Sequence, residues 1–182
     1  MDSVIASGEV GFSQESALTP EEFLASYDSY FPQVYNYICY RCGDVATADD
    51  LTSNVFELAL SHLNEYRPDR GSLSAWLLGI ARNTVSNHYR FERRHACVSL
   101  DDGRDRAGGD DTPEEAFLSQ ETRQALFAAL QTLDGRERDL LGLKFGAHCT
   151  NRRIAEMTGL SEANVGVILH RALGKLRVLL KA

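Results

Sequence analysis

The chain has 182 residues, of which 43% are hydrophobic and 25% charged, and its formal net charge is −7. This composition is that of a globular protein and excludes disorder throughout the chain, and no apolar run reaches membrane-spanning length. The N-terminal stretch has neither a basic start nor an apolar core, so it does not resemble a secretory signal and we expect a cytoplasmic protein.

The net charge is divided unevenly along the chain. Residues 1–65 carry −10 and residues 98–115 carry −5, whereas residues 66–97 and residues 116–182 carry +4 each. This alternation favours separate surfaces for a nucleic acid and for a protein partner. For any single block, a solvated helix face is the simpler alternative.

The N-terminal third is predicted to be a flexible tail, residues 1–18, followed by two helices. Thr19-Pro20-Glu21-Glu22 has the residues of a helix start. In the first helix, Pro32 is expected to kink the helix or to lie near a break, and Gly43 to end the helix. The second helix, at about residues 47–63, combines an apolar inner face with a polar, acidic outer one. That outer face comprises Asp49, Asp50, Ser53, Asn54 and Glu57.

A loop is predicted at residues 66–71 from its proline and glycine, and Ser72 begins the third helix. The far end of this helix is basic and aromatic, which suits phosphates and unstacked bases. Asn83 and Asn87 lie one helical turn apart, so they share a face and could bond base edges. Trp76 falls within the apolar stripe, so packing in the core is predicted for it.

Cys39 and Cys42 have C-x-x-C spacing, but no second pair or H-x-x-x-H follows to complete a tetrahedral zinc site. We therefore expect the thiols to pack inside a helix, with no metal or other cofactor bound. A metal or redox role is the alternative.

Residues 98–111 are polar, acidic and glycine-containing, which predicts a flexible linker. This linker divides the chain into domains at 19–97 and 112–182. Helices are predicted in the second domain at about 113–131, 135–145, 150–158 and 161–180. Since no segment alternates apolar and polar residues as a strand does, we predict an all-α protein of two small helical domains.

The last two predicted helices have the pattern of a helix-turn-helix. Gly159 suits the positive φ of the turn, Ser161 is a good N-cap, and Val165 is an apolar anchor. An ordinary helical hairpin is the alternative for this stretch. An enzyme is not predicted, because the sequence offers no nucleophile–base pairing, complete metal site or glycine-rich phosphate loop.

Two separated motifs resemble regions of the extracytoplasmic-function (ECF) sigma factors of the sigma-70 family. Asp50-Leu51 with Phe56, residues 75–83 (AWLLGIARN) and Arg90 resemble that family's second region. The helix-turn-helix, with residues 136–141 (RERDLL) before it and 169–173 (LHRAL) after it, resembles the fourth region. The match covers roughly residues 20 to 180. A pair of motifs in this order is far more specific than either one alone.

This resemblance implies a bacterial transcription initiation factor that binds core RNA polymerase and directs it to promoters. The first domain would bind the clamp of the largest subunit and open the −10 element. The second would sit on the flap and read the −35 element, and an anti-sigma factor is a possible further partner. The alternative is a helix-turn-helix regulator that binds duplex operator DNA without polymerase.

The resemblance also implies three sets of binding residues. The core-polymerase set is Asp49, Asp50, Leu51, Asn54, Phe56 and Glu57. The −10 DNA set is Arg67, Arg70, Arg82, Asn83, Asn87, Arg90 and Arg93. The −35 DNA set is Arg152, Arg153, Ser161, Glu162, Asn164, Gly166, Val167, His170 and Arg171. The chain departs from the family at Asn87, where many members have Asp, and at residues 166–168 (GVI), which are usually basic or polar.

Overall fold

A computed structural model describes residues 18–95 and 113–180. Within these ranges the chain forms eight α-helices and no strand, so the all-α prediction is confirmed. The helices are α1 (Pro20–Ala25), α2 (Tyr27–Cys42), α3 (Val45–Ser61), α4 (Leu73–His95), α5 (Pro113–Gln131), α6 (Gly135–Leu141), α7 (Asn151–Thr158) and α8 (Glu162–Leu179). The acidic linker, Cys97 and all but Leu18 of the predicted tail lie outside the described residues.

The helices near the N-terminus begin and end at residues whose chemistry explains the boundary. Thr19 and Glu22 form a reciprocal capping box at the start of α1. The break comes at Ser26 rather than at Pro32, which lies inside α2. Pro32 is exposed, so water can reach the carbonyl group that loses its N–H partner. Gly43 ends α2 with a φ of 67°, a conformation that favours glycine.

Helices α2, α3 and α4 pack against one another around aliphatic side chains, including Ile38, Val55 and Leu77, each 0% exposed. Aromatic rings extend this core beneath α1. The ring centroids of Tyr27 and Phe56 are 4.6 Å apart. These contacts make α1–α4 one helical unit.

The C-terminal helices contain the predicted helix-turn-helix. Thr150 caps α7, Gly159 has a φ of 71° in the turn, and the Ser161 hydroxyl accepts a hydrogen bond from the Asn164 N–H group at 3.2 Å. Val165 is fully buried against the rest of the unit. The turn, cap and anchor predicted from the sequence are therefore confirmed. Among the described residues, no helix combines the length and apolar character that crossing a membrane requires.

One carboxylate links the start of α6 to α8. Glu137 accepts a hydrogen bond from the backbone N–H group of Asp134, and Asp134 caps α6 in return. The same Glu137 side chain forms an ion pair with Lys175 of α8 at 2.5 Å. Glu137 is buried, so this pair fixes α8 against α6 inside the unit.

Helix α6 ends at Leu141 and continues as one turn of π-helix, Gly142–Gly146, where the sequence predicted α-helix to residue 145. This π-turn packs directly on α2. A side chain added at Gly146 would begin 2.8 Å from backbone atoms of Asn36 and Tyr37, so only glycine permits this approach. The two helical units thus share one continuous apolar core, a contact that the sequence did not predict.

Candidate polymerase and nucleic-acid interface

The outer face of α3 carries a row of exposed polar and acidic side chains. Asp49, Asp50, Asn54 and Glu57 are all exposed. Leu51 and Phe56, assigned to the same surface, are each only 8% exposed. Their assignment to a surface contact is corrected: they pack in the core and hold α3 in position. The four polar residues remain as the face a partner can reach.

The basic end of α4 is exposed over its last turns. Arg90 lies beside Asn87, with a guanidinium-to-amide-oxygen distance of 3.4 Å, and Arg93 donates to the carbonyl of Tyr89 at 3.2 Å. Arg67 and Arg70 are exposed in the loop before α4. These cations lie along one unit and can form a track for phosphate groups.

Asn83 and Asn87 line a pocket of about 220 Å³ between α3 and α4. The pocket also includes His62, Glu65 and Trp76, so it offers hydrogen-bonding groups beside an aromatic ring. This combination suits an unstacked base, which is bound through its edge and its flat face.

Trp76 is half-buried rather than fully enclosed, so its prediction as a core residue was only partly correct. Its ring is tilted against Tyr66, with 5.5 Å between the ring centroids. It lines the 220 Å³ pocket on one side and a larger cleft of about 600 Å³ on the other. Trp76 therefore forms part of the wall of both cavities.

The larger cleft lies between the two helical units. Arg67 and Arg70 line it from the loop before α4, and Arg153 and Glu156 line it from α7. The Arg153 guanidinium lies 3.5 Å from where a side chain at Gly71 would begin. The first helix of the helix-turn-helix therefore faces the loop predicted to bind the −10 element.

Asp139 of α6 is the central polar residue of the contact between the units. Its carboxylate accepts a hydrogen bond from the Tyr37 hydroxyl at 2.7 Å and pairs with Arg82 at 3.0 Å. Arg41 Nε lies 3.7 Å away. Burial, followed by the nearby Asp139 charge, raises the pKa of Tyr37 well above its usual range, so the phenol stays protonated and donates.

Asp139 lies in the RERDLL segment that resembles the fourth region, but its contact with Arg82 was not predicted, and Arg82 was assigned to the −10 surface. The two residues are 57 positions apart, and no local pattern joins them. Arg82 also donates to the carbonyl of Met157 at 2.5 Å, near the C-terminus of α7. The Arg82 guanidinium is therefore engaged by two residues of the C-terminal helices, Asp139 and Met157.

Most predicted −35 residues are exposed on α7 and α8, namely Arg152, Glu162, Asn164, Val167, His170 and Arg171. Ser161 is exposed but serves as the N-cap of α8, and Gly166 is half-buried. Arg152 and Arg153 both pair with Glu156, at 3.5 and 2.9 Å. The hydrogen bond from Arg153 lowers the pKa of Glu156. This pairing offsets the unfavourable position of two cations near a helix N-terminus.

Cys39 and Cys42 lie inside α2 and are buried. Burial raises the pKa of each thiol to about 11, which keeps both protonated at neutral pH. Within residues 18–95 and 113–180, no group of three His, Cys, Asp or Glu side chains is placed to share a metal ion.

The structure combines a helix-turn-helix whose outer face is exposed with a helical unit that has a basic edge. This combination is that of an all-α DNA-binding protein. Residues 26–95 match the family model Sigma-70 region 2, and residues 129–178 match Sigma-70, region 4. The chain belongs to the sigma-70 family of RNA polymerase sigma factors, within its ECF group. Below, α1–α4 are called the region 2 unit and α5–α8 the region 4 unit.

Several sigma factors are similar to this chain along most of its length. ECF RNA polymerase sigma factor BldN of Streptomyces coelicolor is 32% identical over 85% of this chain, which spans only 58% of that relative. RNA polymerase sigma factor YlaC of Bacillus subtilis is 28% identical over 80% of this chain and 84% of its own length. ECF RNA polymerase sigma factor SigX of Bacillus subtilis is 27% identical over 86% of this chain and 82% of its own length.

Two solved structures share the fold. Sigma factor RpoE from Bartonella quintana, crystallised with the anti-sigma factor NepR, superposes with a TM-score of 0.71 at 18% identity, covering 89% of this chain and 98% of that one. CnrH, solved with the cytosolic domain of CnrY, gives a TM-score of 0.60 at 22% identity, covering 89% of this chain and 87% of that one.

Proposed function

We propose that this chain is a transcription initiation factor that binds core RNA polymerase and directs it to specific promoters. The region 2 unit, proposed to span 19–97, binds the clamp and opens the −10 element. The region 4 unit, proposed to span 112–182, sits on the flap and reads the −35 element. One observation carries this proposal. The region 2 unit has an exposed acidic face on α3, and it also has an asparagine-lined pocket beside the basic end of α4.

Each surface of the region 2 unit suits one task. The carboxylates on α3 complement a basic partner surface. Arg67, Arg70, Arg90 and Arg93 hold phosphates, while the 220 Å³ pocket takes an unstacked base. Binding of an unstacked base in this pocket offsets the free-energy cost of separating the DNA strands. RNA polymerase supplies the chemistry, so we propose no catalytic role and no cofactor for this chain, which acts in the bacterial cytoplasm.

The region 4 unit supplies duplex recognition through α8. Its first turns present Glu162, Asn164 and Val167 to solvent, with His170 and Arg171 one to two turns further on. A regulator that binds duplex DNA without polymerase would use the same helix, but that function does not account for the region 2 unit. An anti-sigma factor is a further proposed partner, as the one crystallised with RpoE from Bartonella quintana illustrates.

Run-off transcription with core polymerase tests this function directly. The full chain should support initiation from selected promoter fragments with core enzyme, and it should bind those fragments more tightly with core enzyme than without it. Tight, sequence-specific duplex binding by the chain alone, without stimulation of transcription, would instead establish the duplex regulator.

Replacing Asp50 and Glu57 together by lysine should weaken assembly with core polymerase by roughly tenfold or more, because like charges would then face a basic clamp. Both residues are exposed, so folding should be unaffected. The same charge change at Glu92 and Glu121, exposed on α4 and α5, is the matched control. Affinity is measured by titrating labelled core enzyme, and wild-type affinity of the α3 variant would remove this face from the interface.

Replacing Arg171 or Arg152 by alanine should lower promoter affinity across sequences and reduce the salt slope by roughly one unit per lost phosphate contact. Arg153 should contribute less, because its side chain is 34% exposed against 83% for Arg152, and its contact with Glu156 is the shorter of the two. Replacing Arg177 by alanine is the control. Arg177 is exposed near the end of α8, and its replacement should leave the salt slope unchanged. Filter binding over a range of salt concentrations measures the slope. An unchanged slope with relaxed sequence preference would mean that these arginines read bases.

A further inference from the structure

We propose that Val167 of α8 reads the C5-methyl group of a thymine in the −35 element, so that the promoters of this chain carry a thymine–adenine pair at that position. The proposal names the base chemistry that α8 selects and therefore rests on the proposed function of the region 4 unit. It starts from the apolar character of the side of α8 that lies farthest from the protein core.

The buried side of α8 determines which of its residues point directly away from the protein. Val165 and Ala172 are each 0% exposed and mark the centre of that buried side. Successive residues of an α-helix are about 100° apart, so Val167 lies about 200° around the helix axis from Val165. The Val167 side chain is 47% exposed, in agreement with this position. Val167 therefore lies on the outermost line of α8, which would enter deepest into a groove of DNA.

The outermost line of α8 is apolar over its first two turns. Ala163, one turn before Val167, lies on the same line and is also exposed. The nearest polar side chains on the exposed surface lie to either side of this line, at Asn164, His170 and Arg171. The centre of the surface that α8 presents to DNA is thus formed by methyl groups, with hydrogen-bonding groups at its margins.

An apolar side chain in the major groove has one favourable partner among the base edges. Most groups exposed there are hydrogen-bond donors and acceptors, whereas thymine presents its C5-methyl group. Covering a donor or acceptor with the methyl groups of Val167 would remove its water without a replacing hydrogen bond, which is unfavourable. Covering a thymine methyl group instead removes two apolar surfaces from water. The contact therefore favours thymine over the other bases.

Two further properties of this surface suit a thymine–adenine pair. Asn164 is exposed three residues before Val167, so the two side chains are neighbours on the helix surface. An asparagine side chain forms paired hydrogen bonds with N6 and N7 of adenine, the partner of thymine. Valine is branched at Cβ and adopts mainly one rotamer in a helix, so Val167 loses little side-chain freedom when it contacts a base.

Removing single methyl groups from promoter DNA tests the proposal. Promoter fragments are first selected from random sequences by the full chain bound to core polymerase. Each thymine of the −35 element is then replaced in turn by deoxyuridine, which pairs as thymine does and lacks only the methyl group. Competition filter binding measures the affinity of each fragment for complexes that contain wild type, Val167→Ala or Val178→Ala. Val178 is the matched control, because it is 72% exposed near the other end of α8 and receives the same substitution.

We expect the selected promoters to share a thymine in the −35 element, and removal of its methyl group should lower wild-type affinity roughly fourfold. Val167→Ala should bind the thymine-containing fragment roughly fourfold more weakly than wild type does, and loss of the same methyl group should then change its affinity by less than about twofold. Val178→Ala should respond as wild type does. Alanine has a higher helix propensity than valine, so α8 should stay helical in both variants, which circular dichroism checks.

Equal methyl sensitivity in wild type and Val167→Ala would overturn the proposal, and so would selected promoters without a thymine in the −35 element. If Val167→Ala with unchanged methyl sensitivity also bound core polymerase more weakly without DNA, Val167 would contact protein instead.

Failure of the proposed function has a different result, because wild type would then support neither promoter binding nor transcription by core polymerase. In that case the deoxyuridine series is applied to any duplex that the chain binds alone, and it decides between a methyl contact at Val167 and none. Absence of all DNA binding would overturn both proposals.

Discussion

Replacing Asn83 and Asn87 together by alanine is expected to stall promoter opening while recruitment of polymerase continues. Both side chains line the 220 Å³ pocket between α3 and α4. A base-edge contact contributes about 1–3 kcal/mol, so losing two should lower the equilibrium for strand opening by at least about 30-fold. Permanganate footprinting should show reduced thymine reactivity around −10, and a pre-melted template should restore transcription.

Ser86→Ala is the matched control for this experiment, because Ser86 is exposed on the same helix and does not line the pocket. It should melt promoters as the wild type does. Core-polymerase affinity should be unchanged in both variants, since the acidic face of α3 is untouched. Wild-type thymine reactivity in the Asn83 and Asn87 variant would show that base capture occurs elsewhere in the region 2 unit.

Replacing Ile154 by alanine is expected to cost about 2–5 kcal/mol of the free energy of unfolding, because it leaves a cavity where a fully buried side chain stood. Ile154 is the one buried residue of α7, so little else anchors that helix. A domain is stable by only about 5–15 kcal/mol, so this loss should release α7 and abolish −35 duplex binding.

Val178→Ala is the control for Ile154→Ala, because Val178 is 72% exposed on α8 and its truncation leaves no cavity. Urea denaturation followed by circular dichroism should show a lower midpoint for Ile154→Ala alone. An equal midpoint for both variants would mean that α7 is held mainly by its polar contacts, among them the bond from Arg82 to Met157.

Features set by neighbouring residues were predictable from the sequence. The capping hydroxyls of Thr150 and Ser161 and the positive φ of Gly159 each depend on a few adjacent residues, and the structure has all three. The break expected near Pro32 lies at Ser26 instead, and Pro32 is inside α2. A proline breaks a helix only where its missing hydrogen bond cannot be replaced, and its exposed position in α2 allows hydration.

Features set by residues far apart in the chain were not predictable. Asp139 meets Tyr37 across 102 positions and Arg82 across 57, and no periodic pattern encodes such a meeting. Family resemblance also erred in one respect: it assigned Leu51 and Phe56 to a partner surface, although their helical spacing places them with the buried residues of α3. Periodicity was the better guide there, because burial follows from helix geometry.

The Glu137–Lys175 ion pair influences where the N-terminal end of α8 lies. The pair fixes the helix near its C-terminal end, and Glu162 at the other end lies roughly 20 Å away at 1.5 Å per residue. A rotation of only about 5° at this pivot would therefore move the recognition end by nearly 2 Å. A shift of that size would break the hydrogen bonds to base edges that are proposed for α8. On that proposal, promoter selectivity depends on the start of α6 as well as on α8 itself.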